Sequence, residues 1–156
     1  MEELTFDERV LDFVWDFVRF MECGVAVAAI KVAGERGNAI RRMMAEIMVE
    51  LIEEHYGIPD DPKEAILALV SPFAEAKLED DVLEVEDCRL CYSAYLKDVA
   101  GEKELEVIRK VPPCPFKAVF DVIASKKGWD VRLEPLETPL SGETEPGSCR
   151  QRLVER

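Results

Sequence analysis

Three prolines within four residues, Pro112, Pro113 and Pro115, constrain what the last third of this chain can form. Proline lacks an N–H and has a locked φ, so it is excluded from helix interiors and central strands. It fits the first helical turn, where the N–H has no partner anyway. Pro112 and Pro113 therefore end whatever precedes them, and Pro115 opens a helix with Cys114 at its N-cap. Phe116, Val119, Phe120 and Ile123 follow at i, i+3, i+4 and i+7, an apolar stripe on one face. Lys126 and Lys127 in the last turn, followed by Gly128, mark its end. Beyond it WDVRL alternates as a half-buried strand does, Ser141 to Gly147 has turn composition, and CRQRLVE reads as a returning strand. The expected C-terminal unit is a helix feeding a hairpin, with one cysteine at the helix mouth and another on the return strand.

Upstream, the chain is mostly helical in pattern. Thr5-Phe6-Asp7-Glu8 is a capping box. Val10, Val14, Phe17, Val18 and Met21 then form a stripe that Phe13, Trp15 and Phe20 widen. A helix apolar over so much of its circumference belongs in a core or under another subunit; a homodimer through Thr5–Met21 is expected. Residues 24–32, GVAVAAIKV, fit either a short strand or a helix of small residues. Gly34 and Gly37 break the chain without the lysine or the spacing of a phosphate loop. Asn38 is placed to cap a helix through Ile40, Met43, Met44, Ile47, Met48 and Leu51, which Gly57 and Pro59 end. His55, the only histidine, falls in its last turn, where an imidazolium suits the dipole better than a catalytic role. Asp61-Pro62-Lys63-Glu64 starts another helix, kinked or restarted at Ser71-Pro72. Period two follows, with Leu83 and Val85 inward and Glu84 and Glu86 outward. Residues 92–96 fit strand or helix, and 101–111 read as a charged surface segment. The whole predicts one α+β domain over 1–156: a helical N-terminal half packed on a small antiparallel sheet, with a C-terminal helix-hairpin.

With 156 residues the chain can bury a core without staples. A net charge of −13 disfavours nucleic acid and anionic membrane surfaces alike. No apolar run approaches the roughly 18–20 residues of a spanning helix. Met1 to Thr5 lacks the basic region of a signal peptide, so a cytoplasmic location is expected. In such a compartment five cysteines point to thiols or metal rather than disulfides.

Zinc takes four S, N or O ligands, and a Cys-x-x-Cys pair supplies two sulfurs from one turn. Cys88 and Cys91 have that spacing. Cys114 sits where a helix dipole should lower a thiol pKa, and Cys149 opens the last strand. These four can converge on one ion, or remain ordinary buried thiols like Cys23.

The Cys114-Pro115 helix, the Gly128 stop, the strand to Glu137 and the Gly147-Ser148-Cys149-Arg150-Gln151-Arg152-Leu153 ending resemble the small-molecule-binding 4-vinyl-reductase-like domain. That family is α+β, stands alone or joins sensors and transcription regulators, and binds apolar small molecules beside a zinc site. The resemblance implies zinc ligation by Cys114, Glu137 and Cys149. The family's further cysteine after the glutamate has no match, since Thr138, Pro139 and Leu140 stand there; Cys88 or Cys91 would have to supply the missing ligand. It also implies an apolar pocket. Between the Asn38–Tyr56 helix, the Cys114 helix and the sheet, its walls would be Met43, Ile47, Met48, Phe116 and Phe120, flexible thioethers beside rigid rings.

Three functions compete. A zinc-containing sensory or regulatory domain with an apolar ligand needs no catalytic groups, and the sequence offers few. A thiol oxidoreductase or other small enzyme would use Cys88 and Cys91, although no thioredoxin-like βαβ pattern surrounds them. A structural adaptor would use the wide apolar face of the first helix.

Overall fold

A computed structural model describes residues 6–110 and 114–155. The cap expected at Thr5 and the breaks expected at Pro112 and Pro113 lie outside the described residues. The fold is α+β. Helix α1 (Phe6–Ala33) passes through a short 3-10 turn, Gly34–Arg36, into the antiparallel α2 (Gly37–His55). Then come α3 (Pro62–Val70), strands β1 (Glu75–Glu79) and β2 (Val82–Glu86), α4 (Ser93–Val99), α5 (Glu102–Lys110), α6 (Pro115–Lys127), β3 (Val131–Glu137) and β4 (Cys149–Glu155). The sheet order is β1-β2-β4-β3, antiparallel throughout.

Helix α6 is central because both of its sides are apolar. Phe116, Phe120 and Ala124 enter a core with Leu83 and Val85 of β2, Leu133 of β3, Leu153 of β4, and Ile66 and Val70 of α3. Val119, Val122 and Ile123 meet Ala45 and Val49 of α2. Its ends are as the sequence predicts: Cys114 is the N-cap, Pro115 follows, and Gly128 closes it in a left-handed conformation with φ 71°. Edge strand β3 is tied to the helix as well. Lys117 Nζ donates to Leu133 O at 2.7 Å, and Leu133 N–H donates to Asp121 Oδ1 at 3.3 Å.

The other starts and turns follow local chemistry. Asp61 accepts from the Glu64 N–H at 3.0 Å and caps α3. The β1–β2 turn is Asp80-Asp81, both left-handed, as a two-residue hairpin requires and as short acidic side chains tolerate. Residues 24–32 resolve as helix: Cys23, Ala26, Val27 and Ile30 pack against Leu96 of α4 and Leu105 and Ile108 of α5. The charged 101–111 stretch thus contains a helix with a buried edge. Asn38 is not the cap of α2, which begins one residue earlier with Arg36 as N-cap; the Asn38 side chain accepts from Arg41 Nη1 instead. Gly37 is there for space, since a Cβ would stand 2.7 Å from the backbone of Ala29.

Two stripes face the opposite way from a core reading. On α2, Ile40, Met43, Met44, Ile47, Met48 and Leu51 are exposed. The helix buries its small side, Gly37 against Ala29 of α1 and Ala45 and Val49 against α6, because small residues allow close approach. On α1 no residue from Asp7 to Val14 is even half-buried, and Phe13 is 66% exposed. Trp15 and Val18 reach the main core. The Trp15 ring meets Phe73 edge-on at 5.8 Å, Phe73 meets Phe116 at 5.8 Å, and the Arg89 guanidinium lies 5.4 Å above Trp15. Among the described residues no helix is long and apolar enough to cross a membrane. His55 ends α2, exposed.

This packing separates two substitutions that look alike in sequence. Phe120 is 0% exposed, so Phe120→Ala should cost about 3–5 kcal/mol in urea denaturation. Met43 is 61% exposed, so Met43→Ala should stay within about 0.5 kcal/mol of the parent.

Candidate functional site

One apolar cavity of about 370 Å³ opens beside the N-terminus of α6. Its deep wall is Val70, Leu83, Val85, Leu90 and Phe116, all buried. Cys88, Cys91, Cys114 and Cys149 all line it. They arrive from three separate segments, and local structure explains each arrival.

The chain leaves β2 through Asp87, whose positive φ of 51° turns it sharply. Cys88 N–H then donates to Gly147 O at 2.9 Å and Cys91 N–H donates to Cys88 O at 3.4 Å. The Cys-x-x-Cys segment is therefore a tight turn fastened to the loop before β4. Gly147 has φ 93°, a value that a side chain at that position would resist. Cys149 starts β4 opposite Val85, and Cys114 caps α6.

Gln151, two residues beyond Cys149, shares its face of the strand. It is 3% exposed and stands between Leu83 and Pro135 across the sheet. Its Nε2 donates to Cys114 Sγ and to Cys149 Sγ, 3.7 Å each. Its Oε1 is buried without a partner among the described residues. Cys91 Sγ lies 3.0 Å from Ser93 Oγ. The thiols surround the cavity without closing a ready cage: among the described residues no group of three or more His, Cys, Asp or Glu is disposed to hold a metal ion.

Burial dominates the electrostatics. The Cys88 thiol is pushed up to about 12, mainly by desolvation and further by its cysteine neighbours. Cys149 is also raised to about 12, by desolvation first and Cys114 next. Cys114 is raised as well, which corrects the expectation of a lowered thiol at a helix mouth. The Lys117 and Phe116 N–H groups and the Gln151 amide do pull it down, but desolvation outweighs them.

The remaining expected site residues fall elsewhere. Glu137 does not line the cavity; Arg150 Nη1 holds its Oε2 at 3.5 Å. Of the expected pocket wall, Phe116 lines the cavity and Phe120 fills the core. Met43 and Ile47 are exposed, and Met48 edges a shallow depression of about 80 Å³ with Glu22, Arg41 and Tyr92. The apolar pocket is thus displaced from α2 toward the cysteines, because α2 and α6 pack too closely to leave room. Gln151 was open to discovery, since strand alternation puts it beside Cys149. Arg109 and Ser93, which also line the cavity, carry no such signal. No family model matches the chain, and no curated protein matches it.

The raised thiols set a pH dependence for chelator-treated protein. The folded state holds protons that the unfolded chain releases near the ordinary value of 9.0. Stability from this source is complete below pH 9 and is lost as pH rises toward 12. Denaturant midpoints measured from pH 8 to 11 should fall steadily, and less steeply in a Cys88→Ala, Cys149→Ala double variant.

Proposed function

We propose that this protein is a small-molecule-binding domain of sensory or regulatory type. The cavity takes an apolar guest, and Cys88, Cys91, Cys114 and Cys149 hold zinc in its wall. The observation that carries this reading is the meeting of four thiols from three chain segments at one apolar cavity. Where the Cys88, Cys114 and Cys149 thiols are raised by desolvation, a dication can replace their protons and supply the missing countercharge. The Gln151 amide supports the same reading. Aimed at two sulfurs, its N–H groups suit thiolates, as a group orienting metal ligands would. Glu137, engaged by Arg150, is the weaker candidate for a fourth ligand, so Cys88 takes that place. The likeness of the Cys114-Pro115 helix and its hairpin to the 4-vinyl-reductase-like domain points in the same direction. A thiol oxidoreductase is less well supported, because a nucleophilic cysteine needs a depressed pKa and the Cys88 thiol is raised by desolvation.

Purified protein should contain one zinc per chain and, stripped of it, should unfold at lower temperature. Cys114→Ser should lower both zinc content and Tm far more than Cys23→Ser, whose thiol packs in the separate α1–α4–α5 cluster. Equal effects of the two substitutions, or protein folded and metal-free from zinc-replete medium, would overturn the metal assignment.

We propose further that the protein is a homodimer through α1 and the exposed stripe of α2. The first turns of α1 carry Val10, Leu11, Phe13 and Val14 clear of the fold, and a helix end without packing is marginal in water. The covering surface must be equally apolar and uncharged. A second copy supplies one, since a two-fold axis pairs a patch with itself. Sedimentation should give a dimer that Phe13→Glu with Phe17→Glu converts to monomer. A monomeric parent at high micromolar concentration would refute this.

A further inference from the structure

We infer that the guest of this cavity is an amphiphile with an anionic head, and that Arg109 reads the head. The inference rests on the ligand-binding reading above and adds the chemical class. In a chain of net charge −13, no carboxylate is among the described residues that line the cavity, and Arg109 is the one charged side chain there. It stands in the last turn of α5 and is exposed, so it occupies the rim, while Val70, Leu83 and Phe116 form the depth. Some other exposed cations have carboxylate partners, Lys63 with Asp81 at 2.9 Å, Lys110 with Glu35 at 2.6 Å and Arg42 with Glu46 at 3.3 Å, whereas Lys97 and Arg152 have none among the described residues and do not line the cavity. Among the described residues no carboxylate pairs with Arg109. An unpaired guanidinium at the mouth of an apolar cavity offers a carboxylate or sulfonate two parallel N–H donors while the ligand's apolar body stays in the depth. A neutral guest would leave that charge unused, and a cationic guest would be repelled at the rim.

Calorimetric titration of the full chain, zinc-loaded and at low salt, with decanoate and with 1-decanol separates head from tail, because the two share a ten-carbon chain. Decanoate should bind about tenfold tighter, the size of one charge-assisted contact at an exposed rim. Arg109→Ala should abolish that preference and leave decanol affinity unchanged, Arg109→Glu should reverse it, and Arg109→Lys should keep part of it. Raising the salt to about 0.5 M should weaken decanoate alone. Equal binding of the two probes by the parent, or a preference that survives Arg109→Ala, overturns the assignment of Arg109 and leaves the cavity as a site for neutral guests. Binding of neither probe overturns the ligand-binding reading, and this inference with it.

Discussion

Burial of α6 on two opposite sides is the constraint on which the rest of the structure depends. Phe116, Phe120 and Ala124 on one side and Val119, Val122 and Ile123 on the other leave it almost no solvent face. A helix so enclosed cannot shift along its axis without opening one of two cores, each packed at interior density. Its N-terminus is fixed accordingly, and Cys114 with it. The sheet strands that meet the same helix carry Cys149 and Gln151, and the turn bonded to Gly147 carries Cys88 and Cys91. One packing decision thus gathers four thiols that lie up to 61 positions apart in sequence (88 to 149).

Once gathered, Cys88, Cys114 and Cys149 are held where desolvation resists their ionisation. Such desolvation makes the site favour any bound group that brings positive charge. The cavity beside it is lined by the same Phe116 that stacks, through Phe73, toward Trp15 of α1. The aromatic series and the Arg89 contact above Trp15 make α1 a mechanical neighbour of the cysteine turn. Arg19 strengthens that tie by donating to Arg89 O at 2.9 Å. The exposed apolar helix and the cavity are therefore parts of one packed unit, joined without a flexible linker between them.

Local chemistry was legible in the sequence wherever a residue's own geometry decides the outcome. The Cys114 cap, the Gly128 stop, the Asp61 cap and the inward Leu83 and Val85 all follow from such rules. The convergence of the cysteines was legible as a possibility of spacing, and strand alternation could have added Gln151. Burial direction was not legible. The stripe Ile40, Met43, Met44, Ile47, Met48 and Leu51 has the helical period of a core face, yet periodicity cannot say which side a neighbour chooses. Here the small side, Ala45 and Val49, allows the closer approach. The pocket expected under that stripe moved for the same reason. Arg109 was hidden because its segment reads as a charged surface, and only the fold brings the last turn of α5 to the cavity mouth.

The central claim is that the four gathered thiols act together as ligands of one ion in the cavity wall. X-ray absorption at the zinc edge of the purified protein tests it directly, because shell composition distinguishes sulfur from nitrogen and oxygen. The account predicts a single shell of four sulfurs at about 2.3 Å, falling to three sulfurs with one lighter ligand in Cys88→Ser. A shell dominated by oxygen and nitrogen, or one that Cys88→Ser leaves unchanged, would contradict it.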